Sequence, residues 1–324
     1  MASFGSGPLT RRATLLAPGL LAWAAPALAQ SFPERPMRMV VGYAPGGTTD
    51  IVARVTAEYL SQRLGQPVTV ENRGGAGGVP GALAVLQAPA DGHVLMLQSG
   101  GLNQAEALGP ALPFDAVEAW APVGLVGTSA ISMVVHPAVP ATNLRELQAY
   151  VRASGQPLRV GSPGTNLSAE LYAQELGIAI EEIRYRGTGM VINDLLAGRV
   201  QAYTIALPGI LAHVRSGGLR ALAIASHRRS HVMPELPTTV EQGFPGIITA
   251  SWFGVVVRSG TPPARPARLG EAVTQMLGDP TVRSRLTEAG VDVERETSPA
   301  AFDAMIREDR ARWDLVVRRG NLRP

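Results

Sequence analysis

Three short segments rich in glycine, serine and threonine have the composition of anion-binding loops. They run from Pro45 to Asp50, from Ser162 to Ser168 and from Arg186 to Gly189, and each lies between a strand-like run and a helix-like run. The first turn of a helix leaves backbone N–H groups unpaired and carries a partial positive charge, so it binds carboxylates or phosphates. Any one such loop is also an ordinary strand-to-helix turn, but three in one chain favour an anion site.

The composition excludes several kinds of catalysis. The chain has no cysteine, and its 29 basic residues are all arginines. It therefore has no thiolate nucleophile, disulfide or lipid-anchored cysteine, and no P-loop or Schiff-base lysine. It also lacks a Gly-x-Ser-x-Gly nucleophile motif. We therefore expect that the protein is not an enzyme, although a Ser/His pair assembled only in space would leave no local sign.

The sequence predicts no binding site for a metal, a cofactor or a nucleic acid. His227 and His231 are four residues apart, but they flank two arginines in a segment typical of a solvated loop. The glycine-rich run from Asn72 to Gly78 lacks the Gly-x-Gly-x-x-Gly spacing of a dinucleotide site, which favours a flexible turn. The arginines are scattered among 26 acidic residues without a basic stripe, so nucleic acid is not an expected partner.

The candidate loops require a scaffold of alternating strands and helices. Strands are predicted from Met37 to Tyr43, Leu158 to Gly161 and Ile183 to Tyr185, each followed by a loop and a helix, with Thr48 or Thr49 as the first N-cap. Further strand-like runs are Val68 to Glu71, Val94 to Gln98, Val200 to Ile205, Leu219 to Ala225 and Trp252 to Val257. A last helix begins at the capping residue Ser298 and the first-turn Pro299. This alternation predicts an α/β fold, and 324 residues exceed one ordinary core, which predicts two lobes.

The N-terminus has the pattern of an export signal. Arg11 and Arg12 precede an apolar stretch from Ala13 to Ala29 that ends in small residues, so residues 1–29 are predicted to be a signal peptide cleaved after Ala29. The paired arginines fit a Sec leader or a twin-arginine leader. The stretch is too short for an ordinary membrane span, so we expect a soluble periplasmic protein. Its removal lowers the net charge from +3 to +1.

A series of motifs along residues 32–321 resembles the Bug family, the TctC-like periplasmic receptors of tripartite tricarboxylate transporters. The motifs are Pro33 to Pro36, Pro45 to Asp50, Glu71 to Gly78, Ala90 to His93, Gly161 to Gly164, Tyr185 to Gly187, Asp194 to Val200, Leu219 to Ala223 and Leu236 to Gly243. The number and order of these motifs make the resemblance specific.

The resemblance implies a type II-like Venus flytrap, in which each lobe is a mixed sheet flanked by helices. Lobe one is expected to comprise 30–131 and 255–324, and lobe two 132–254, with the ligand cleft between them. The family holds a ligand carboxylate through backbone amides and waters from one loop of each lobe, here Tyr43 to Asp50 and Ser162 to Ser168. The predicted ligand-binding residues are Tyr43, Ala44, Gly46, Gly47, Thr48, Thr49, Asp50, Ser99, Ser162, Gly164, Thr165, Asn166, Ser168, Tyr185, Arg186, Gly187 and Ile205.

The implied function is capture of a small carboxylate by hinge closure. The ligand would be an organic di- or tricarboxylate, an aromatic carboxylate or a similar acid, delivered by a monomeric protein to the membrane subunits of a tripartite tricarboxylate transporter. Arg186 is a candidate partner for a second carboxylate. Many relatives have a polar residue where this chain has Ile205; if Ile205 faces the cleft, an amino-acid ligand is disfavoured, and if it faces the core, nothing follows.

Two other functions remain open from the sequence. The protein could present its ligand to a membrane sensor kinase, or it could be an exported hydrolase that uses Ser162 and a histidine. Genomic neighbours would distinguish a role with a sensor kinase from a role in transport. Ester turnover that is lost in Ser162→Ala would support a hydrolase.

Overall fold

The computed structural model of the chain describes residues 1–3, 5, 32–109, 112–162, 167–185, 188–294 and 297–322. The chain divides into two units, Met1–Phe32 and Pro33–Pro324, and the second contains every strand and helix discussed below. Most of the expected signal peptide lies outside the described residues, so its cleavage stays a prediction. Within the described ranges, no helix combines the length and the apolar character that crossing a membrane requires.

Strands and helices alternate along the described residues, as the sequence predicts. The strands are β1 (Met37–Val41), β2 (Val68–Asn72), β3 (Val94–Gln98), β4 (Trp120–Val135), β5 (Leu158–Ser162), β6 (Ile180–Arg184), β7 (Ala202–Ala206), β8 (Arg220–Ile224), β9 (Ala250–Arg258) and β10 (Asp292–Val293). The helices are α1 (Thr48–Leu64), α2 (Val79–Leu86), α3 (Gly101–Leu108), α4 (Leu144–Ser154), α5 (Leu167–Leu176), α6 (Thr188–Leu196), α7 (Leu211–Arg215), α8 (Ala264–Gly278), α9 (Pro280–Glu288) and α10 (Pro299–Gly320). Two short 3₁₀ segments cover Ala76–Gly78 and Leu207–Ile210.

The long strand β4 joins two mixed half-sheets in the order β2-β1-β3-β9-β4-β7-β5-β6. In lobe one, β1 lies parallel to β2 and β3, and β9 runs antiparallel between β3 and β4. From Ile131 onward, β4 instead pairs with β7 and β8 of lobe two, where β5 lies parallel to β6 and β7. One strand therefore contributes to both lobes.

Strand β4 is not predicted from the sequence, because proline and glycine interrupt its apolar pattern. Its register with β9 shifts between Pro122 and Gly124 and again between Leu125 and Gly127. Such bulges bend a strand and increase its twist. A Cβ at Gly127 would lie 2.6 Å from the carbonyl oxygen of Asp292, so glycine there lets β10 pair closely with β4. The residues that weaken the strand pattern thus serve the local geometry.

The last helix packs against both lobes. Its predicted cap is confirmed, since Ser298 accepts a hydrogen bond from the backbone N–H of Ala301 at 3.1 Å. Trp313 is buried in one apolar cluster with Ala107 of α3 in lobe one and Leu171 of α5 in lobe two. Phe302, Ile306, Trp313, Val316 and Val317 on the apolar side of α10 are buried in the core, as their spacing predicts.

Candidate functional site

A cavity of about 800 Å³ opens where the carboxyl ends of the lobe-one strands meet the first turns of two lobe-two helices. Its described lining residues are Gly42, Tyr43, Thr49, Gly75, Ala76, Gly77, Ser99, Gly100, Gly101, Gln104, Ala105, Leu108, Ile131, Ser168, Thr188, Thr249, Ala250, Ser251 and Phe253. Ligands of open α/β sheets bind at this end of the strands, beside the loops that follow them.

Four helices of eight or more residues begin at the cavity wall. Thr49 is the second residue of α1, Gly101 the first of α3, Ser168 the second of α5 and Thr188 the first of α6. Each of these first turns carries backbone N–H groups without intrahelical partners and the positive end of a helix dipole. Two of the helices belong to lobe one and two to lobe two, so both lobes present donors to the same space.

The cavity wall is polar but carries no carboxylate, arginine or histidine side chain among the residues that the structure describes. Its side-chain donors are hydroxyls, as in Thr49, Ser99 and Ser251, and the amide of Gln104. The hydroxyls of Ser168 and Thr249 lie 3.5 Å apart, so they link α5 to the chain entering β9. The helix termini therefore supply the positive potential near the cavity, which favours an anionic ligand.

Tyr43 connects three of the segments around the cavity. Its hydroxyl accepts a hydrogen bond from Ser99 Oγ at 2.9 Å and a second from the backbone N–H of Gly101. The same oxygen lies 3.5 Å from the carbonyl oxygen of Gly77. Burial raises the pKa of Tyr43. The hydrogen bonds that its hydroxyl accepts from Ser99 and Gly101 only partly offset that effect, so the hydroxyl keeps its proton. A protonated hydroxyl that already accepts two hydrogen bonds remains a donor.

Asp50 stabilises the loop from Pro45 to Asp50 but does not line the cavity. Its side chain is nearly buried, with Oδ2 accepting hydrogen bonds from Gly46 N and Arg54 Nε at 3.0 Å each. Oδ1 accepts from Asn72 Nδ2 at 2.9 Å. Burial disfavours the ionised carboxylate, but these hydrogen bonds outweigh it and hold the pKa of Asp50 below its usual value.

The N-cap of α1 differs from the sequence prediction. Gly47 occupies the cap position with an extended backbone, and Thr48 is the first helical residue, so neither Thr48 nor Thr49 caps the helix. The carboxylate of Asp50 reaches back to Gly46 N and closes the loop instead. The hydroxyl of Thr49 is consequently not used as a cap, and Thr49 lines the cavity.

Only part of the predicted ligand-binding set lines the cavity. Tyr43, Thr49, Ser99 and Ser168 do so. The described residues outside the lining are Ala44, Gly46, Gly47, Thr48, Asp50, Ser162, Tyr185 and Ile205. The remaining predicted residues, Gly164, Thr165, Asn166, Arg186 and Gly187, lie outside the described part of the chain.

Two residues of the predicted set in lobe two make specific contacts outside the cavity lining. Ile205 is partly buried and packs against an apolar cluster in lobe two. The hydroxyl of Tyr185 donates to Asp194 Oδ2 at 2.8 Å, which fixes it beside α6.

Sequence reasoning missed a large part of the lobe-one wall. The run around Gly77 was expected to be a flexible turn, yet it forms a 3₁₀ segment that lines the cavity, with Ala76 in the left-handed region at φ 43°. A Cβ at Gly77 would lie 2.9 Å from the carbonyl oxygen of Gly101, so this glycine allows a close backbone approach. Ser99 to Gly101 follow a strand and precede a helix, which is the same signal as in the three predicted loops.

A buried carboxylate on α10 accepts hydrogen bonds from one side chain of α3 and one of β9. Asp309 of α10 is 4% exposed, and its Oδ2 accepts hydrogen bonds from Asn103 Nδ2 at 2.9 Å and Trp252 Nε1 at 3.0 Å. Burial raises the pKa of Asp309, and the hydrogen bonds from Trp252 and Asn103 only partly counter that effect. The three side chains thus join α10, α3 and β9 directly behind Gly100.

Asp309→Asn is expected to leave the fold intact, because an amide oxygen still accepts the hydrogen bonds from Asn103 and Trp252. It is expected to raise stability at neutral pH by about 1 kcal/mol, because removal of the buried charge outweighs loss of the 3.8 Å contact between Oδ1 and Arg312 Nη1. A carboxyl whose pKa is raised on folding favours the folded state below its unfolded pKa and loses that contribution as the pH rises through the folded pKa. Urea unfolding of both proteins from acidic to neutral pH measures this. A variant that is less stable at neutral pH would show that the negative charge itself is needed.

Comparisons with known proteins identify the family and support the fold. The family model described as "Tripartite tricarboxylate transporter family receptor" matches residues 52–322. Protein BugT of Bordetella pertussis is 37% identical over 301 residues, covering 91% of this chain and 92% of BugT. The structure of MatC from Rhodopseudomonas palustris with bound malate is 32% identical, with a TM-score of 0.77, and covers 88% of this chain and 100% of MatC. A second R. palustris structure, with adipate, is 30% identical, with a TM-score of 0.78, and covers 89% and 97% of the two chains. These similarities confirm the predicted two-lobed α/β fold.

Proposed function

The chain belongs to the family of tripartite tricarboxylate transporter receptors, and from this membership we propose that it captures a small carboxylate in the cavity between its lobes. The observation that carries the proposal is the convergence of four helix N-termini on one cavity. Backbone N–H groups at these termini are donors for carboxylate oxygens, and the helix dipoles favour the negative charge.

Aliphatic dicarboxylates are the first ligands to test. Malate is bound in MatC and adipate in the second R. palustris structure, and both molecules carry two carboxylates. In this chain, the donors come from both lobes, with α1 and α3 on one side and α5 and α6 on the other. A ligand with an anionic group at each end matches such a distribution of positive helix termini.

Binding is proposed to proceed by hinge closure, because a ligand that contacts both lobes favours the closed form through its higher affinity for that form. Proposed lobe one comprises 30–131 and 255–324, and proposed lobe two comprises 132–254. The change of β4 partners at Ile131 supports the first boundary. The second lies within β9, which runs alongside β4 from Ala250.

We further propose that the protein acts in the periplasm after cleavage of its leader behind Ala29. It then delivers the ligand, as a monomer, to the membrane subunits of a tripartite tricarboxylate transporter, and it performs no chemistry on the ligand. Family membership supports the receptor role. Ligand uptake into proteoliposomes that contain such membrane subunits, with and without this protein, tests the partnership.

A thermal-shift screen over mono-, di- and tricarboxylates, aromatic acids and acidic amino acids tests the ligand class. We expect at least one carboxylate to stabilise the protein, because a ligand at a hundredfold excess over its Kd adds about 2.7 kcal/mol to the free energy of unfolding. Calorimetric titration then measures the Kd. Neutral amides of the same acids are the matched controls and are expected to produce no shift. Stabilisation by a neutral solute, with none by any carboxylate, would refute the proposal.

A further inference from the structure

Gln104 combines a position on the cavity wall with an unused side-chain amide. It belongs to α3, and its backbone N–H donates to the carbonyl oxygen of Gly100 at 3.2 Å. Among the residues that the structure describes, its side-chain amide has no hydrogen-bond partner, unlike the amide of Gln242, which binds the backbone of both Leu144 and Leu222. The amide of Gln104 is therefore available to a ligand, with Nε2 as donor and Oε1 as acceptor.

The position of Gln104 lies between the two lobes. It is one helical turn beyond Gly100, the N-cap of α3, and one turn before Leu108. Leu108 lies on the same face and packs against the cluster that contains Leu167 of α5. Leu167 immediately precedes Ser168, which lines the cavity from lobe two. Gln104 therefore lines the same cavity as the starts of α3 and α5, on the face of α3 that packs towards α5.

The other described lining residues offer little to distinguish one carboxylate from another. Backbone N–H groups bind any carboxylate, and the hydroxyls of Thr49, Ser99 and Ser251 are on short side chains. Among the described wall residues, Gln104 alone carries both a donor and an acceptor on a long, flexible side chain. Selectivity between ligands that share one carboxylate has to come from such a group.

We propose that Gln104 is a specificity-determining residue that donates its Nε2–H to the second, distal carboxylate of the ligand. This inference rests on the proposed function and deepens it, because it assigns dicarboxylates as the preferred class. The distal carboxylate is a charged acceptor, and hydrogen bonds to charged groups contribute more than neutral ones. The uncharged amide binds this group without introducing a buried charge when the cavity is empty.

The test combines a truncation of the Gln104 side chain with a truncation of the ligand and compares the four binding affinities. Calorimetric titration measures the Kd of wild type and Gln104→Ala for adipate and hexanoate, and for malate and 3-hydroxybutyrate. In each pair, a methyl group replaces one carboxylate. We expect Gln104→Ala to weaken dicarboxylate binding about tenfold and to leave monocarboxylate binding within about twofold. Gln104→Glu is expected to weaken dicarboxylate binding about a hundredfold, because like charges repel.

The controls separate contact from folding. Gln156→Ala removes the same side chain from the exposed connection between α4 and β5, outside the cavity lining, and is expected to bind as wild type does. The melting temperature of free Gln104→Ala is expected to match that of wild type, since the amide makes no hydrogen bond within the described part of the chain. If Gln104→Ala weakens binding of both ligands of a pair equally, or of neither, the inference about Gln104 is overturned but the proposed function is not. Failure of wild type to bind any carboxylate overturns the proposed function and this inference with it.

Discussion

Replacing Gly101 by alanine is expected to weaken carboxylate binding at least about a hundredfold, because the cavity wall has no room for one more carbon. A Cβ at this position would overlap the hydroxyl oxygen of Tyr43 and lie 2.8 Å from the carbonyl oxygen of Gly77. Relief requires a shift of Tyr43, of the 3₁₀ segment or of the first turn of α3. Each of these lines the cavity, so each shift moves ligand donors.

Gly278→Ala is the matched control for this substitution. Gly278 is the last residue of α8, and nothing lies within 4 Å of a Cβ built there. Its alanine variant is expected to bind with wild-type affinity. The double variant Gly101→Ala with Tyr43→Phe is expected to recover part of the binding, since it removes the atom in the closest overlap. Circular dichroism confirms that each variant is folded, and wild-type affinity in folded Gly101→Ala would show that ligands do not use this wall.

Replacing Asp50 by alanine is expected to lower the free energy of unfolding by about 3 kcal/mol. The substitution leaves Gly46 N without its acceptor, leaves Asn72 Nδ2 with only the carbonyl oxygen of Tyr43, and removes the carboxylate that pairs with Arg54. It also releases the loop between Tyr43 and α1, so we expect ligand affinity to fall even though Asp50 does not line the cavity. Urea unfolding measures the first effect and calorimetric titration the second.

Two further variants isolate what the carboxylate contributes. Asp303→Ala removes an exposed carboxylate from its ion pair with Arg307, and it is expected to change stability by less than about 1 kcal/mol. Because folding lowers the pKa of Asp50, its contribution is present above the unfolded pKa and is lost as the pH falls through the folded pKa. Asp50→Asn should therefore show a weaker loss of stability in acid than wild type does. An unchanged acid profile would assign the pH dependence to other carboxylates.

The sequence predicts the helices around the cavity better than it predicts the side chains that face it. Thr49 and Ser168 lie at the starts of α1 and α5, where glycine, serine and threonine follow a strand, and this local signal is sufficient to locate both. Whether a residue in such a loop faces the ligand depends on contacts with distant residues. Asp50 is a suitable ligand-binding residue by type, but Asn72 and Arg54 hold its carboxylate within lobe one.

The rest of the wall depends on tertiary proximity that one sequence does not show. Gly77 and Gly101 are separated by a helix and a strand, and their close backbone approach explains why both are glycine. The proline and glycine of β4 weaken its pattern, although these residues form the bulges that shape the strand. The hydrogen-bonding partners of Asn103 and Trp252 on α10 are likewise invisible until the C-terminal helix is in place.

The position of β9 between β3 and β4 has a consequence for synthesis of the chain. β3 and β4 make no ladder with each other, and each pairs with β9 along the edge that faces the other. Until Ala250–Arg258 have left the ribosome, a nascent chain therefore carries two open strand edges, which are templates for pairing with other chains. α10, which packs against both lobes, is made later still. The sheet of lobe one is consequently completed only after the whole segment between β4 and β9 has been synthesised.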